Sequence, residues 1–600
     1  MTYAHSFHIP VMGIGFTVDT PAKVAQYGIS SCISLVDDIL VEKMREFYCK
    51  KFDLPYHAIS EKIDDFRAKR ITAYLNVIDE IVKRKFEELK NSINQKGGEL
   101  EKYMEMLPDF SEIKQRFNHF IQHNNLKDLQ HWLHDHLPKG SIDVNIMTKL
   151  DRDVYRDNEK LPQEYNDAHA AFRGFAQSDL TSSVVLSAGM NPRLYAYMEN
   201  FDDFYPNELG ELKKKIILKV SDYRSAIIQG KFLAKKGIWI SEYRIESGLN
   251  CGGHAFATDG YLMGPILEEF KTNRRELVET THKLLTDALI AKGKPCPAKP
   301  MNVLITAQGG VGTNEEHQFL MDHYEVDSVG WGTPFLLVPE VTNVDEYTLG
   351  LLADAKEEDL YLSGISPLGV PFNNLRGNTK DMEKQALIDK NRPGSACPKK
   401  FVEINKDFGE KAICVASRQY QFLKLKELKE LHADNDKKYQ EEFDKVVEKS
   451  CICVGLGTAA LHINKLDFKK EGPGVAVCPG PNMAYYSRKV TLKEMVSHIY
   501  GKSNIIERQD RPHMFLKELG LYVDYLKNRV GEMAKPLTDK NEKYIDTFHK
   551  NLLEGIEYYK ELFNKKTEQF QDKKDHILHS MEQFKEELNE VKLKVLGVLQ

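Results

Sequence analysis

Residues 303–313 read Val-Leu-Ile-Thr-Ala-Gln-Gly-Gly-Val-Gly-Thr, a β-type run that ends in a glycine turn. A second run of this kind, residues 327–333, reads Asp-Ser-Val-Gly-Trp-Gly-Thr. Glycines in such turns let backbone N–H groups surround an anion without obstruction by side chains. The turns after the seventh and eighth strands of a parallel barrel are the usual place for a ligand's phosphate. The ordered pair therefore predicts the end of a barrel, and neither turn continues into the Lys-Ser/Thr of a P-loop.

Six more β-type runs lie upstream. Most of them end in glycine or a small polar residue before a helix-type pattern begins, which is typical of βα units. The eight runs are residues 10–13, 31–36, 142–146, 183–187, 215–220, 238–244, 302–307 and 327–330. They predict an α/β fold of the (β/α)8 TIM barrel type.

A helical insertion is expected between the second and third runs. Residues 41–139 are rich in charge, and their apolar positions 71, 75, 78 and 82 are spaced by three and four, as on one face of a helix. Paired glycines suit turns better than helix interiors, so Gly97-Gly98 divides the insertion into at least two helical parts.

The chain beyond the barrel changes character twice. We predict a barrel from 1–40 and 140–375, the insertion, a mixed extension over 376–535, and a long helix or helical hairpin over 536–600. The mixed part has Pro/Gly turns and five of the nine cysteines, whereas the last part has apolar residues that alternate by three and four. This apolar stripe needs a partner, either the rest of the same chain or a second copy in a homo-oligomer.

The composition is that of an ordinary globular protein. Of 600 residues, 42% are hydrophobic and 29% charged, and 83 Lys+Arg against 89 Asp+Glu leave a net charge of -6. We expect no nucleic-acid partner, which needs a basic surface, and no membrane span, which needs ~18–20 consecutive apolar residues. The N-terminus lacks the basic and apolar regions of a secretory signal, so we expect a cytoplasmic protein with reduced thiols.

The loop after the sixth run carries a candidate acid or base. Residues 246–254 read Glu-Ser-Gly-Leu-Asn-Cys-Gly-Gly-His, so His254 follows a flexible glycine pair at the C-terminal end of a predicted strand. Substrates bind at this end of a barrel, and imidazole exchanges protons near neutral pH. The alternative is a loop histidine that hydrogen-bonds a backbone carbonyl.

Together these motifs resemble the nitronate monooxygenase superfamily, FMN-dependent TIM barrels that include the flavin-type enoyl-acyl-carrier-protein reductases. The matching stretches are 10–13 (Pro-Val-Met-Gly), 144–146 (Val-Asn-Ile), 250–254 (Asn-Cys-Gly-Gly-His), 309–311 (Gly-Gly-Val) and 332–335 (Gly-Thr-Pro-Phe). The resemblance covers about half of the chain, roughly residues 8–45 and 140–375. Three positions depart from the family pattern: Asn250 replaces an acidic residue, Ser247 a glutamine and Pro334 an arginine.

The resemblance implies a bound FMN. The residues that it places at the cofactor are Met12, Gly13, Asn145, Ser247, Gly252, Gly253, Gly309, Gly310, Gly332 and Thr333. It implies that His254 is the catalytic acid or base beside the flavin. Lys219, at the end of the fifth run, could then stabilise developing negative charge, although a lysine at a barrel mouth is often only solvated.

The clustered cysteines suggest a second cofactor. Turn-borne and Cys-Pro cysteines suit iron–sulfur ligation, and the candidate ligands are Cys397, Cys414, Cys453 and Cys478, with Cys451 interchangeable with Cys453. The spacing matches neither a zinc ribbon nor the compact ferredoxin run. Buried thiols that serve as small apolar core residues are the alternative.

Residues 450–460 resemble a dinucleotide fingerprint in outline. A β-type run leads into Gly455-Leu456-Gly457 and Ala460, followed by a helix-type pattern. No second strand with a terminal acidic residue follows, so a tight structural turn is the other interpretation. The co-substrate NAD(P)H is therefore not assigned to any motif.

The sequence predicts an FMN-dependent oxidoreductase that acts on a small-molecule or acyl substrate. The first hypothesis is a nitronate monooxygenase-like reaction, and the second is an NAD(P)H-dependent flavin enoyl reductase. A third hypothesis, from a different class, is a flavin- or phosphate-binding scaffold that acts through its helical extensions.

Overall fold

Eight parallel strands close into a barrel at the centre of the molecule. The computed structural model describes residues 3–93, 97–123, 125–187, 189–533, 537–565 and 573–595. The barrel strands are β1 (Phe7–Ile9), β2 (Ser30–Ser34), β3 (Ile142–Met147), β4 (Ser182–Ser187), β5 (Lys214–Val220), β6 (Ile240–Glu246), β7 (Leu304–Gln308) and β8 (Ser328–Gly330). Each strand pairs in parallel with the next one along the chain, and β8 closes the barrel on β1 through the Phe7 and Val329 pair. The predicted (β/α)8 TIM barrel is confirmed.

The strand bounds differ from the predicted runs in an informative way. Residues 10–13 were predicted as the first strand, but the strand is Phe7–Ile9 and Pro10–Gly13 form the loop at its C-terminal end. Pro10 lacks the N–H that a central strand donates, which explains why pairing ends there. The shift places Met12 and Gly13 at the mouth of the barrel rather than in its wall.

Helices cover the outside of the barrel. Those between or after the strands are Thr20–Val24, Asp167–Ala176, Pro192–Tyr197, Tyr223–Ala234, Met263–Ala291, Asn314–Tyr324 and Glu346–Asp354. Short 3₁₀ helices are Ala25–Tyr27, Gln163–Tyr165, Met198–Asn200, Asp202–Phe204, Thr333–Leu337, Glu357–Asp359 and Pro481–Tyr485. Because helices cover the barrel, strands such as β2 and β4 are buried along their whole length.

The insertion after β2 is helical, as predicted. Its helices are Asp38–Lys51, Phe66–Asn91, Glu99–Met106, Glu112–Gln122 and Leu126–His136. The longest, Phe66–Asn91, packs between Asp38–Lys51 and Asp167–Ala176. Its predicted apolar face, with Ile71, Leu75 and Ile78, is fully buried. The insertion therefore supplies part of the outer helical layer.

The extension after the barrel returns to its mouth. We include in the extension the antiparallel hairpin Leu360–Ser363 and Phe372–Leu375, which follows the last barrel strand and precedes the predicted boundary at residue 376. A smaller hairpin, Tyr155–Arg156 with Glu159–Lys160, lies earlier in the chain. The helices that follow are Thr379–Asp389, Arg418–Leu431, Asp436–Glu448, Ile452–Ile463, Leu492–Ile499 and Met514–Glu532. The Leu456 carbonyl accepts the Gly15 N–H at 2.8 Å, which ties the extension to the loop after β1.

Neither the dinucleotide turn nor the tight structural turn, the two interpretations of this segment, is formed. Gly455 and Gly457 lie inside the Ile452–Ile463 helix, and no strand precedes it. A Cβ at Gly455 would lie 2.8 Å from the Cβ of Ala476, whereas a Cβ at Gly457 would meet only ordinary contacts at 3.5 Å or more. Close packing against the segment of Ala476 is thus the physical reason for Gly455.

The last part of the chain is a pair of helices, Asp539–Lys565 and Lys574–Val595, that pack on each other. Residues 536, 566–572 and 596–600 of the predicted region lie outside the described residues. The stripe is buried, with Phe548, Leu552 and Ile556 each inaccessible, and the pair contacts the Met514–Glu532 helix. The stripe is therefore covered by the same chain, which was the first of the two alternatives.

No single helix in the described ranges has the length and apolar composition of a membrane span. The consecutive helices Asp436–Glu448 and Ile452–Ile463, bent by 41°, meet that test only as a pair.

Candidate active site

A cavity of about 710 Å³ lies at the C-terminal ends of the barrel strands. Its lining includes the ten residues predicted at a cofactor and the two predicted catalytic residues. These are Met12, Gly13, Asn145, Lys219, Ser247, Gly252, Gly253, His254, Gly309, Gly310, Gly332 and Thr333. Parallel strands bring their carboxyl ends to one edge, which explains why residues so distant in sequence meet here.

The turn after β7 has a backbone that only glycine adopts readily. Gly309 has φ +133° and Gly310 has φ +76°. A Cβ on Gly310 would lie 1.9 Å from the side-chain nitrogen of Asn250, and a Cβ on Gly309 would lie 2.7 Å from the Cβ of Ser247. The loop that carries His254 is therefore packed directly on this turn, and no side chain larger than hydrogen fits between them.

A buried ion pair supports the same turn from behind. Arg511, from the extension, bonds both carboxylate oxygens of Glu316 at 2.8 Å and donates a further hydrogen bond to the Gly310 carbonyl at 2.8 Å. Although burial alone would raise it, the pKa of Glu316 is lowered because Arg511 faces the carboxylate. Arg511 thereby fixes the position of the predicted phosphate turn.

One polar atom in the cavity wall is available to a ligand. The side-chain oxygen Oδ1 of Asn145 is buried and has no hydrogen-bond partner among the described residues. Gln308 is already engaged, because its side chain donates to Glu246 and forms a hydrogen bond with His8. A buried amide oxygen normally accepts a hydrogen bond, so Oδ1 of Asn145 suits a ligand N–H. A flavin ring offers such a donor, and the two glycine turns line the same cavity, so the residues present fit FMN.

His254 is held at the cavity by the start of the extension. Its Nε2 lies 2.7 Å from the Ser366 hydroxyl in a hydrogen bond, and its ring packs edge-on against Phe372. The loop before it is fixed as well, because the Asn373 side chain donates to the carbonyls of Cys251 and Gly253 at 2.9 and 3.1 Å. Burial lowers the pKa of His254 to about 4, so the ring is neutral at neutral pH.

Lys219 does not face the cavity as an isolated cation. Its Nζ lies 2.7 Å from Oε2 of Glu246, and Oε1 of Glu246 accepts a hydrogen bond from Gln308 at 2.8 Å. All three side chains line the cavity. A carboxylate at this distance offsets most of the ammonium charge, so Lys219 presents a dipole rather than a full positive charge.

Ser247 connects the cavity to a buried acid. Its hydroxyl donates to Glu518 at 2.5 Å, and Glu518 also accepts the Met263 N–H at 3.0 Å and the Tyr559 hydroxyl at 3.3 Å. Burial raises the pKa of Glu518 to about 7. Ser247, which stands where the resemblance expects a glutamine, thus anchors the His254 loop to the Met514–Glu532 helix.

Several functional residues were not predicted from the sequence. Ser366, Asn373, Glu518 and Arg511 hold the site residues, and they come from segments outside the barrel motifs. Only Ser366 carried a signal, since it opens the turn Ser-Pro-Leu-Gly at 366–369. A single buried polar residue in a helix, such as Glu518, has no local pattern that reveals it.

The predicted iron–sulfur ligands do not form one metal-binding group. Among the residues that the structure describes, no set of three or more His, Cys, Asp or Glu side chains is arranged to hold a metal ion. Cys478 lines the cavity, and its carbonyl accepts the Gly253 N–H at 3.1 Å. Cys414 packs in a small core with Phe401 and Val402, and Cys453 packs against the same core, to which Cys478 does not belong. The four predicted ligands are therefore not all brought together, and the arrangement of the described residues gives the iron–sulfur prediction no support.

Comparisons with solved structures give matches of low identity and low TM-score. No family model and no curated protein matches the chain. A point mutant of FabK from Thermotoga maritima is 12% identical with a TM-score of 0.30, over 67% of this chain and 84% of that one. The enoyl reductase domain of MlnA from the macrolactin cluster of Bacillus amyloliquefaciens is 13% identical with a TM-score of 0.32, over 66% and 86%. The fold assignment itself is given by the closed order of eight parallel strands.

Proposed function

We propose that this protein is an FMN-dependent oxidoreductase in which His254 exchanges a proton with the substrate. One observation carries the proposal: a single cavity joins the two glycine turns, Asn145 and the Gly252-Gly253-His254 loop. The glycine turns suit a bound phosphate, Asn145 suits a bound ring system, and His254 adds an acid or base at the same place.

The chain's own residues divide the binding of FMN between two sides of the cavity. The backbones of Gly309, Gly310, Gly332 and Thr333 would hold the phosphate, and the free Oδ1 of Asn145 would accept a hydrogen bond from the ring. When bound, FMN supplies the two-electron redox chemistry. The protein supplies position, exclusion of water and control of protons.

His254 is suited to accept a proton. Its ring is neutral at neutral pH, and Nδ1 is the nitrogen left for proton exchange while Nε2 stays bonded to Ser366. A proton on a carbon next to an electron-withdrawing group could be removed there, as a nitronate monooxygenase-like reaction requires. An imidazole with a low pKa is a weak base. Negative charge that develops beside the His254 ring must therefore stabilise its protonated, imidazolium form.

The alternative reaction is NAD(P)H-dependent reduction of an activated double bond, in which His254 returns a proton to the substrate. The segment resembling a dinucleotide fingerprint is helical, so it gives this alternative no binding site. The apolar part of the cavity wall, with Val36, Leu150, Val402 and Leu456, suits an aliphatic group in either reaction.

The first test is the absorption spectrum of the purified protein, before and after incubation with FMN. We expect a flavin spectrum. Anaerobic bleaching by a nitronate without NAD(P)H supports the first reaction, and bleaching by NADH or NADPH supports the reductase. Absence of flavin together with no uptake of FMN would overturn both reactions. A phosphate-binding scaffold would then remain, and inorganic phosphate would be the ligand to test.

The second test is His254→Ala. A well-placed acid or base contributes ~10²–10⁴-fold, so we expect turnover to fall by that range with a native flavin spectrum. Unchanged turnover would remove the catalytic role of His254. The matched control is His282→Ala, because His282 lies on the Met263–Ala291 helix outside the cavity and should leave turnover unchanged.

The pH dependence of kcat/KM separates a base from an acid. With a pKa of about 4 in the free enzyme, a base is active at neutral pH and loses activity only as the pH falls toward 4. An acid with the same pKa would lose activity as the pH rises above 4. We expect the first profile, and an activity maximum near pH 4 would assign the opposite role.

A further inference from the structure

A buried acid that the proposed mechanism does not use lies directly behind the cavity wall. Glu518 is 1% exposed, and its carboxyl group lies 2.5 Å from the hydroxyl of Ser247, which lines the cavity. Glu518 belongs to the Met514–Glu532 helix, outside the barrel. One hydroxyl group therefore separates the cavity from an acid that solvent does not reach.

The surroundings of Glu518 favour its neutral form. In the described part of the chain it takes part in no ion pair, and burial raises its pKa to about 7. The titratable groups that face it are Tyr522, Tyr559 and Cys251, and burial raises the pKa of each of them. These three groups stay neutral near pH 7. Among the four, Glu518 is the group whose charge changes in this range.

The hydrogen bonds of the carboxyl group indicate which oxygen carries the proton. Oε2 of Glu518 accepts the Met263 N–H at 3.0 Å and the Tyr559 hydroxyl at 3.3 Å, so it acts as the carbonyl oxygen. Within the described residues, the hydrogen bond of Oε1 is the one to Ser247 at 2.5 Å, a distance typical of a strong O–H···O bond. Neutral Glu518 therefore carries its proton on Oε1 and donates it to the oxygen of Ser247.

The hydroxyl of Ser247 must then point elsewhere. Its oxygen accepts the Asn250 N–H at 3.3 Å, and the bond from neutral Glu518 uses its second lone pair. The hydroxyl hydrogen has no other acceptor among the described residues, and Ser247 lines the cavity, so this hydrogen is available to a ligand. When Glu518 is ionised, the same hydrogen returns to the carboxylate.

We propose that Glu518 is a positioning residue that sets the direction of the Ser247 hydroxyl toward the ligand. With Glu518 neutral, Ser247 donates a hydrogen bond into the cavity. With Glu518 ionised, Ser247 donates to Glu518 and offers the ligand only a lone pair. The identity of the ligand, FMN, rests on the proposed function. The ring of FMN carries nitrogen and oxygen atoms that accept hydrogen bonds, so its affinity should be higher below pH 7 than above it.

The test is a fluorescence titration of FMN into the full-length protein between pH 5 and pH 9, with wild type and Glu518→Gln. Glutamine does not ionise, and its amide can donate to Ser247 at every pH. A phosphate group ionises a second time near pH ~6, but this affects both proteins equally and cancels in the ratio of the two Kd values. We expect the wild-type Kd, relative to the variant, to rise by about 5–10-fold across pH 7. A constant ratio would overturn the proposal.

Ser247→Ala tests whether the hydroxyl carries the effect. This variant keeps the acid but removes the group that it positions. Ser247→Ala and the double variant Ser247→Ala/Glu518→Gln should therefore show the same pH dependence of FMN affinity. A pH-dependent difference between them, as large as that between wild type and Glu518→Gln, would mean that the charge of Glu518 acts on the ligand directly, and the role of the hydroxyl would be wrong.

Tyr559→Phe tests whether Glu518 is the group that titrates. The variant removes a donor to the carboxylate, which disfavours the ionised form, so the midpoint of the change in affinity should move to higher pH. The matched control is Tyr558→Phe, because the Tyr558 hydroxyl bonds Glu268 and Tyr324 instead. It should leave the midpoint unchanged. Equal midpoints in the two variants would assign the titration to another group.

Infrared spectra of the ligand-free protein need neither FMN nor turnover. At pH 5 the carbonyl band of a protonated carboxyl group should be present in wild type and missing in Glu518→Gln, and it should be shifted in Ser247→Ala because Ser247 accepts its hydrogen bond. If Glu518→Gln does not fold, the shift in Ser247→Ala decides. An unshifted band would overturn the proposal even where FMN binds. No uptake of FMN at any pH, with the shift present, would overturn only the identity of the ligand and the proposed function.

Discussion

The site has two halves of different origin. The barrel half consists of cavity-lining residues at the ends of strands, such as Asn145 and Gly310. The extension half consists of Ser366, which lines the cavity, and of Asn373 and Glu518, which lie behind the lining residues that they bond. The first half contains the groups that would contact a ligand. The second half holds those groups in place, since its residues bond His254, the Gly253 carbonyl and Ser247.

The difference shows how the two halves are specified. Barrel topology brings every strand end to one edge, so a short motif after a strand predicts a position at the mouth. Contacts of the extension depend on tertiary packing over long separations, such as 271 residues between Ser247 and Glu518. Variants in the barrel half should therefore change ligand binding, and variants in the extension half should change stability or the position of His254.

The largest expected effect on ligand binding is that of Gly310→Ala in the barrel half. The φ of +76° disfavours any residue with a Cβ by ~1–2 kcal/mol. The new methyl would also lie 1.9 Å from Asn250, so the turn must move. We expect FMN affinity to fall by at least ~100-fold, about 3 kcal/mol, in a fluorescence titration.

The control for this variant is Gly369→Ala. Gly369 also lines the cavity and has φ +72°, but no heavy atom lies within 4 Å of its ideal Cβ. It carries the same backbone strain without the clash, so FMN affinity should change only a few-fold. Equal losses in both variants would show that the phosphate turn has no special role.

The next effect is the pH-dependent stability of Glu518→Gln in the extension half. The pKa of Glu518 is raised from 4.5 to about 7, so the fold favours the neutral acid. Its contribution to stability is present below about pH 4.5 and is lost as the pH rises through 7. Glutamine does not ionise. The free energy of unfolding of the variant, relative to wild type, should therefore increase by about 2 kcal/mol between pH 5 and pH 8.

Urea denaturation at the two pH values measures this difference. Any loss of stability that the glutamine side chain causes equally at both pH values cancels in this comparison. The control is Glu532→Gln, an exposed residue at the end of the same helix, which should show no such change. If the free energies of unfolding of wild type and variant differ by the same amount at pH 5 and pH 8, Glu518 is not the titrating group.

A smaller effect is expected for Asn373→Ala. Its side chain donates to the carbonyls of Cys251 and Gly253, and leaving buried carbonyls short of a donor costs about 1–2 kcal/mol. The matched variant is Asn374→Ala, whose side chain bonds Tyr361 and Asp381 instead. Both should lower the urea midpoint, but only Asn373→Ala should also lower kcat. Equal kcat values would show that the His254 loop keeps its position without Asn373.

The sequence was sufficient for the barrel half because its signals are local. Alternating β-type runs and glycine turns predict seven of the eight strands, and the loop after β6 predicts His254 at the mouth. The error at residues 10–13 arose because a β-type run containing proline was taken as the strand. Phe7–Ile9 pairs instead, and Pro10 ends it.

The sequence was insufficient where residue type alone was the signal. Gly455 and Gly457 resemble a phosphate-binding turn, yet both lie inside a buried helix, where Gly455 allows close packing against Ala476. Four clustered cysteines suggested one metal site, but Cys414 and Cys453 share a small core to which Cys478 does not belong. Proximity in sequence does not determine which loops converge, so such groupings are recognised only after the chain is folded.

The smallest expected effect is that of Lys219→Met. This variant tests whether the ion pair with Glu246 reduces the catalytic contribution of the Lys219 charge. Glu246 lies 2.7 Å from the ammonium, and both side chains are partly exposed at 19% and 27%. Such pairs contribute ~0–1 kcal/mol to stability, so the urea midpoint should hardly change. Because the carboxylate already offsets the charge, we expect kcat to fall only ~2–5-fold, less than 1 kcal/mol. A fall of 100-fold with unchanged KM would instead require Lys219 to leave Glu246 and stabilise the transition state directly, and Glu246→Gln should then raise kcat.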